Sequence, residues 1–188
     1  MKANLKIRLV SPQDVADLLE IYSPIVLNTA TSFETEVPSP EEFEKRIINY
    51  GSKSPWLVAE TDGKVVGYAY ATDHRSRKAY QWNQEVTVYV HHHFRKLGIA
   101  RKLYLLLLDM LNAMGFCKAI AVITIPNEAS IGFHRSLGFR HIGEMKNIGF
   151  KHGEWQTTSW WDLDLHDGHN PPGEIKTLAQ IIPQFDLG

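Results

Sequence analysis

A chain of 188 residues, 44% apolar and 22% charged, is long enough to bury one full core and has the composition of an ordinary globular domain. Lys and Arg total 20 against 21 Asp and Glu, so no net charge draws it to nucleic acid or to an anionic membrane, and any preference for an anion must be local. Its one cysteine, Cys117, excludes an intrachain disulfide and a cysteine-built metal site and suits a reducing compartment.

Leu5, Ile7 and Leu9 alternate with Lys6 and Arg8, which predicts a short first strand and leaves no secretory apolar segment. Ser11-Pro12-Gln13-Asp14 is a helix start: a serine cap, a proline whose missing N–H costs nothing in the first turn, and an acid three residues on. Val15, Leu18, Leu19 and Tyr22 share one face of that helix, and Pro24 is expected to kink or end it. Asn28 to Pro38 reads as a loop, after which Ser39-Pro40-Glu41-Glu42 repeats the start signal for a helix carrying Phe43, Ile47 and Tyr50 and stopping at Gly51. Trp56 to Glu60 and Val65 to Tyr70 flank Asp62-Gly63, a hairpin signal, and His74 to Lys78 is a basic loop.

Val86, Val88 and Val90 then alternate with Thr87, Tyr89 and His91 as a strand. The period changes at Ile99: Leu103, Leu106, Leu107, Met110, Leu111 and Met114 form one helical face, ended by Gly115. Leu103 to Leu108 is apolar but far short of the roughly twenty residues that span a bilayer. Lys118 to Ile125 is a continuous apolar run, expected to be a strand covered on both faces. Asn127 to Leu137 is a short helix closed by Gly138, and two strands lie near 139–148 and 155–165. From His166 the chain reads as a linker; Ile175 to Phe185 suggests a turn of helix that packs on this domain or on a second subunit, a choice left open here. Early hairpin strands and later strands reached through helices imply an α/β (α+β) fold, a mixed central sheet of about seven strands flanked by about four helices. Residues 1–165 form the domain and 166–188 a C-terminal extension.

The densest chemistry sits between the strand and the long helix. In Arg95-Lys96-Leu97-Gly98-Ile99-Ala100, small residues at 98 and 100 let backbone amides face outward at a helix N-terminus, where unpaired N–H groups and the positive dipole end favour an anion. Arg101 and Lys102 add charge. Neither Gly-x-Gly-x-x-Gly nor Gly-x-x-x-x-Gly-Lys-Ser/Thr is present, which argues against a dinucleotide or NTPase loop. His91-His92-His93 has no carboxylate at ligand spacing, so no metal is expected, and Trp160-Trp161 reads as sheet packing rather than a base-stacking platform.

Arg-x-x-Gly-x-Ala between strand and helix resembles the pyrophosphate motif of the GNAT superfamily of N-acetyltransferases, which bind acetyl-CoA, and the order of elements matches that fold. Thr31-Ser32-Phe33-Glu34, Arg77-Lys78-Ala79-Tyr80, Glu85-x-x-Val88-Tyr89-Val90, Asn127-x-x-Ser130-Ile131-x-x-His134-x-x-Leu137-Gly138-Phe139 and Gly149-Phe150-Lys151-His152-Gly153-x-Trp155 resemble its phosphinothricin and methionine sulfoximine acetyltransferase branch. The resemblance covers most of residues 5 to 165. The chain departs from it at Lys96, where relatives often carry Gly, at Leu97, where they have a second arginine, and at Thr157, where they often have aspartate.

The resemblance implies that Arg95 to Arg101, with Val88, Tyr89, Val90 and Asn127, hold acetyl-CoA, the N–H of Val88 or Tyr89 polarising the thioester carbonyl. An amine arrives largely protonated at neutral pH, and Glu85 is the candidate base. His134 stands where many relatives have a tyrosine that protonates the leaving thiolate. Asn127 is as readable as a helix cap as it is as a cofactor contact. Phe33 and Glu34 resemble the substrate wall, and Arg75 and Arg77 are candidates to fork onto a carboxylate, phosphinate or sulfone oxygen. The expected protein is a cytoplasmic N-acetyltransferase acting on a small amino acid analogue. The alternatives are an acetyltransferase for a peptide N-terminus or polyamine, and a non-catalytic acyl-CoA-binding module. Family resemblance and the supply of Trp82, Trp155, Trp160 and Trp161 suggest a homodimer.

Overall fold

The computed structural model describes residues 5–166 and 171–187. Within them the chain runs β1 (Lys6–Leu9), α1 (Val15–Asn28), α2 (Pro40–Gly51), β2 (Trp56–Thr61), β3 (Lys64–Asp73), β4 (Asn83–Val90), α3 (Ile99–Met114), β5 (Lys118–Ile125), α4 (Glu128–Ser136), β6 (Arg140–Lys151), β7 (Glu154–Asp164) and the single turn α5 (Leu178–Ile181). The strands make one seven-stranded sheet in the order β1-β2-β3-β4-β5-β7-β6, antiparallel throughout except for the parallel pair β4 and β5. The expected mixed sheet with helices on its faces is the one observed.

Two cores follow from strand alternation. On one face Leu103, Leu107, Met110 and Leu111 of α3 pack against Leu57, Ala69, Val86 and Ala121. On the other, Leu18, Ile21 and Val26 of α1 and Phe43 and Ile47 of α2 close over Trp56, Val58 and Tyr68. The Asp62-Gly63 turn has both residues in the left-handed region, φ 51° and 76°, as a tight hairpin with the strands' own twist requires.

Two expectations change, the end of a helix at Pro24 and the two-sided cover of β5, and one open choice is resolved. Helix α1 continues through Pro24 to Asn28, because Pro24 lies on the solvent face, where the carbonyl of Glu20 that loses its partner can be hydrated. Strand β5 is not covered on both faces: Val122 is 39% exposed and looks into a cleft, so apolar side chains there line a cavity as well as a core. The open choice for Ile175 to Phe185 resolves onto this domain, where Ile181 is fully buried in the α3 core, Lys176 N–H donates to Met114 C=O at 2.8 Å and Trp82 Nε1–H to Gly173 C=O at 2.9 Å. No helix among the described residues is long and apolar enough to cross a membrane.

A partly buried ion cluster ties β1 to the start of α1 and to β2. Arg8 donates to both carboxylate oxygens of Asp14 at 2.8 Å and, through Nε, to Glu60 at 2.9 Å. Burial alone would raise the Asp14 carboxyl, but the hydrogen bonds from Arg8 and Ser11 hold it below its ordinary value. The unfolded state therefore takes up this proton first on acidification, and the contribution is present at neutral pH and lost from about pH 4 downward. Arg8→Met should lower unfolding stability in urea by roughly 2–3 kcal/mol at pH 7, since it strands a buried carboxylate, and by less at pH 3, because without Arg8 burial raises the Asp14 carboxyl of the variant, which then takes up a proton and is no longer a stranded charge. An equal loss at both pH values would mean that the cluster contributes packing only.

Candidate active site

Strands β4 and β5 pair only from Asn83–Lys118 to Glu85–Ile120 and then diverge, although β5 stays paired to β7 as far as Ile125. On the other side of β4, His91 N–H bonds Val66 C=O and His74 N–H bonds Asn83 C=O, so the odd-numbered residues of β4 turn their backbone groups to β3. By alternation Val86, Val88 and Val90 present theirs to the gap. The Val86 carbonyl lies 3.2 Å from the Tyr104 hydroxyl. The same alternation puts the Val88 amide, not that of Tyr89, on the open side.

The gap widens into a cavity of 750 Å³ between Val86–Val90, Ala121–Ile123, the N-terminus of α3 and helix α4. Arg95, Lys96, Gly98, Ile99, Ala100 and Arg101 form one end of it, whereas the Leu97 side chain is 65% exposed and lies outside the lining. Gly98 caps α3 at φ 78°, and a β-carbon there would meet nothing within 4 Å, so the backbone is open to whatever occupies the cavity. Lys96 also lies in the left-handed region, φ 63°, at a cost of about 1–2 kcal/mol for an L-residue.

At the other end Asn127 caps α4, its Oδ1 accepting from Ser130 N–H at 3.1 Å, and it also lines the cavity. His134, buried, has Nδ1 2.8 Å from Ser130 C=O and Nε2 2.9 Å from the Tyr104 hydroxyl. A carbonyl only accepts, so Nδ1 carries the proton and, in the neutral ring, Nε2 accepts from Tyr104. Burial lowers the imidazole below its ordinary value and raises the Tyr104 phenol, so both are neutral at pH 7. Should Nε2 gain a proton, Tyr104 turns its own to Val86 C=O, and every donor in the chain remains matched.

A second cavity of 470 Å³ opens on the α1–α2 side of β4 and is bounded by Glu34, Glu42, Arg46, Glu85 and a wall of aromatic rings that includes Tyr22, Tyr70 and Trp56. Thr87 lines both cavities, so they meet across a single strand. The Glu85 carboxylate is held by His74 Nδ1 at 2.7 Å. Arg46 donates to Glu34 at 2.5 Å and to Glu42 at 2.6 Å. Buried tyrosines on this wall stay protonated, Tyr22 being pushed up to about 12 by burial.

Glu85 and Glu34 thus face the second cavity, and Val88, Val90, Asn127, His134 and the basic turn face the first, with Tyr89 also on its wall. Arg75 and Arg77 do not join them: both are exposed, outside either lining, with the Arg75 guanidinium 5.9 Å from the Tyr80 ring. Phe33 is 41% exposed and lies against Gly149 rather than in the lining. His91 is buried 3.5 Å from Glu20 at the start of a tight turn. Sequence reasoning missed His74, Tyr104 and Arg46. A histidine two residues past the antiparallel partner of Glu85 would have flagged the first, given the β3–β4 register.

Residues 7–160 match the family described as an acetyltransferase (GNAT) domain. The phosphinothricin N-acetyltransferase of Streptomyces viridochromogenes is 35% identical over 94% of this chain and 96% of its own length. An L-methionine sulfoximine/L-methionine sulfone acetyltransferase of Salmonella typhimurium is 34% identical over 89% of this chain and 98% of its own. A GNAT superfamily phosphinothricin acetyltransferase from Sinorhizobium meliloti, solved in complex with acetyl-CoA, superposes with a TM-score of 0.85 at 37% identity, covering 93% of this chain and 95% of that one. With an open strand edge, an exposed amide turn and relatives aligned along nearly the whole chain, this protein belongs to the GNAT family and is an acetyl-CoA-dependent N-acetyltransferase.

Proposed function

We propose that the protein acetylates the primary amine of a small amino acid analogue, such as phosphinothricin, methionine sulfoximine or methionine sulfone, and that the two cavities divide the work. The observation that carries this reading is their meeting at Thr87, with a carboxylate, Glu85, next to it on the aromatic side. Acetyl-CoA supplies an acetyl group activated as a thioester. The amides around Gly98 and the side chains of Arg95, Lys96 and Arg101 receive its pyrophosphate, and Val88, Val90 and Asn127 receive the amide-bearing arm. Val88 N–H, fixed by the sheet, donates to the carbonyl at which charge develops. Glu85, oriented by His74, takes a proton from the incoming ammonium, and the His134–Tyr104 pair stands at the cleft wall to return one to sulfur.

For the substrate's anionic group the cavity offers Arg46 in place of Arg75 and Arg77; with two of its donors on Glu34 and Glu42, others remain. The same observation favours a second reading. Three carboxylates face one guanidinium in this lining, an excess that suits a plain cationic amine such as a polyamine.

We further propose a cytoplasmic homodimer. Of the four tryptophans that suggested it, Trp161 is buried in the core, Trp82 bonds the C-terminal segment and Trp160 packs edge-on against His74. Trp155 alone is strongly exposed, at 61%, and its ring meets that of exposed Phe150 at 5.4 Å, with Ile148 and Ile142 also exposed on the β6–β7 hairpin. So many exposed apolar side chains on one hairpin support the reading of an interface.

Two measurements check these readings. In an assay of thiol release across phosphinothricin, methionine sulfone, a polyamine and a short peptide, the amino acid analogues should show the highest kcat/KM; polyamine turnover alone would transfer the claim to the second reading. In sedimentation at micromolar concentration the mass should be twice the 21.4 kDa chain, falling to one chain on Trp155→Asp; a wild-type monomer would rule the dimer out.

A further inference from the structure

The segment from Thr29 to Glu34, between α1 and α2, belongs to both cavities: Thr29 and Thr31 line the cofactor side and Glu34 the amine side. It has no strand or helix of its own to hold it. What holds it is the far end of the β6–β7 hairpin, which grips it at three points. Lys151 Nζ donates to Ser32 C=O at 2.6 Å, and the His152 imidazole Nε2 lies 3.2 Å from Thr29 C=O. Gly149 leaves room for the Phe33 ring, since any β-carbon there would fall 2.4 Å from the ring's Cε2.

Lys151 is the unusual member. It is 5% exposed, its ammonium bonds a backbone carbonyl, and among the described residues it forms no ion pair, although the Glu34 carboxylate is near enough to favour its charge. A buried charge with a neutral partner is costly, so a purely structural tie between two loops would be better served by a neutral side chain. The tie leads towards the amine cavity. Ser32 Oγ lies 2.7 Å from the Tyr22 hydroxyl and accepts from Glu34 N–H at 3.2 Å, and the Glu34 carboxylate holds Arg46.

We propose that the hairpin tip is a latch and that Lys151 is a positioning residue for the amine substrate, acting through Ser32 and Glu34 without entering the lining of the cavity. The proposal rests on the amine reading of that cavity. Closed, the latch places Glu34 and Arg46 at fixed points of the wall; released, the segment loses these ties to the β6–β7 hairpin and the amine meets a wall of variable position.

Lys151→Met keeps the aliphatic stem and deletes the ammonium. It should raise KM for the best amine about tenfold or more while kcat changes less than about threefold, the split expected when binding geometry is lost and the reacting groups stay in place. Backbone amides of residues 29–34 should exchange hydrogen faster, with β3 and β4 unchanged, and Lys151→Arg should recover most of the lost affinity. Gly149→Ala reaches the same segment by displacing Phe33 and should give the same exchange pattern, which keeps the test open if the methionine variant does not fold. Unchanged exchange at 29–34 in a folded variant overturns the latch, and so does faster exchange with an unaltered amine KM. If the wild-type protein acetylates none of the amines, the substrate reading fails on that result, and the exchange comparison still decides whether the hairpin holds the segment.

Discussion

The constraint on which the rest depends is the early end of the β4–β5 ladder. A strand left unpaired on one edge exposes N–H and C=O groups that cost about 1–3 kcal/mol each when buried without partners. The fold sets the Tyr104 hydroxyl 3.2 Å from the first of them, Val86 C=O, as a donor available whenever His134 Nε2 carries its own proton, and leaves Val88 and Val90 facing a cavity. Because β5 remains fully paired to β7, the gap cannot close by collapse of the sheet. On the proposed reading, this open edge pairs with an extended ligand that carries amides of its own.

Around that edge, charge is arranged by location and not by total. A near-neutral chain puts Arg95, Lys96 and Arg101 at one end of the first cavity, where the helix dipole adds to them, and puts Glu34, Glu42 and Glu85 in the second, on the opposite face of β4. On the proposed reading, an anionic donor and a cationic acceptor are drawn to opposite sides of the same strand and meet at Thr87. Polar pairs fix the groups in between: His74 orients Glu85, and Ser130 and Tyr104 together settle which nitrogen of His134 bears the proton.

Much of this could be read from the sequence, for reasons that are local. Alternating valines, the helical period from Ile99 to Met114 and the Asp-Gly turn are governed by neighbours within a few residues, and the elements stand where these signals put them. The basic turn was readable because the glycine, the small residue and the helix start are contiguous. What was not readable depends on register or on distant packing. His74 meets Glu85 only through the β3–β4 pairing, Arg46 reaches Glu34 from the opposite end of a loop, and Arg75 and Arg77 look suited to an anion until the strand end turns them to solvent. Pro24 misleads in the same way: the cost of a proline in a helix depends on whether the freed carbonyl faces water, which the sequence around it does not state.

On the proposed reading, β4 divides the enzyme, with acetyl-CoA on one side and the base that prepares the amine on the other. Glu85→Gln tests it most directly, because glutamine keeps the shape and can still accept from His74. Turnover and acetyl-CoA affinity, measured on the same preparation by steady-state kinetics and calorimetry, should separate: kcat falling about 10²-fold or more, as for loss of a general base, with acetyl-CoA affinity unchanged. Wild-type turnover in this variant, or a loss of acetyl-CoA affinity parallel to the loss of rate, would contradict it.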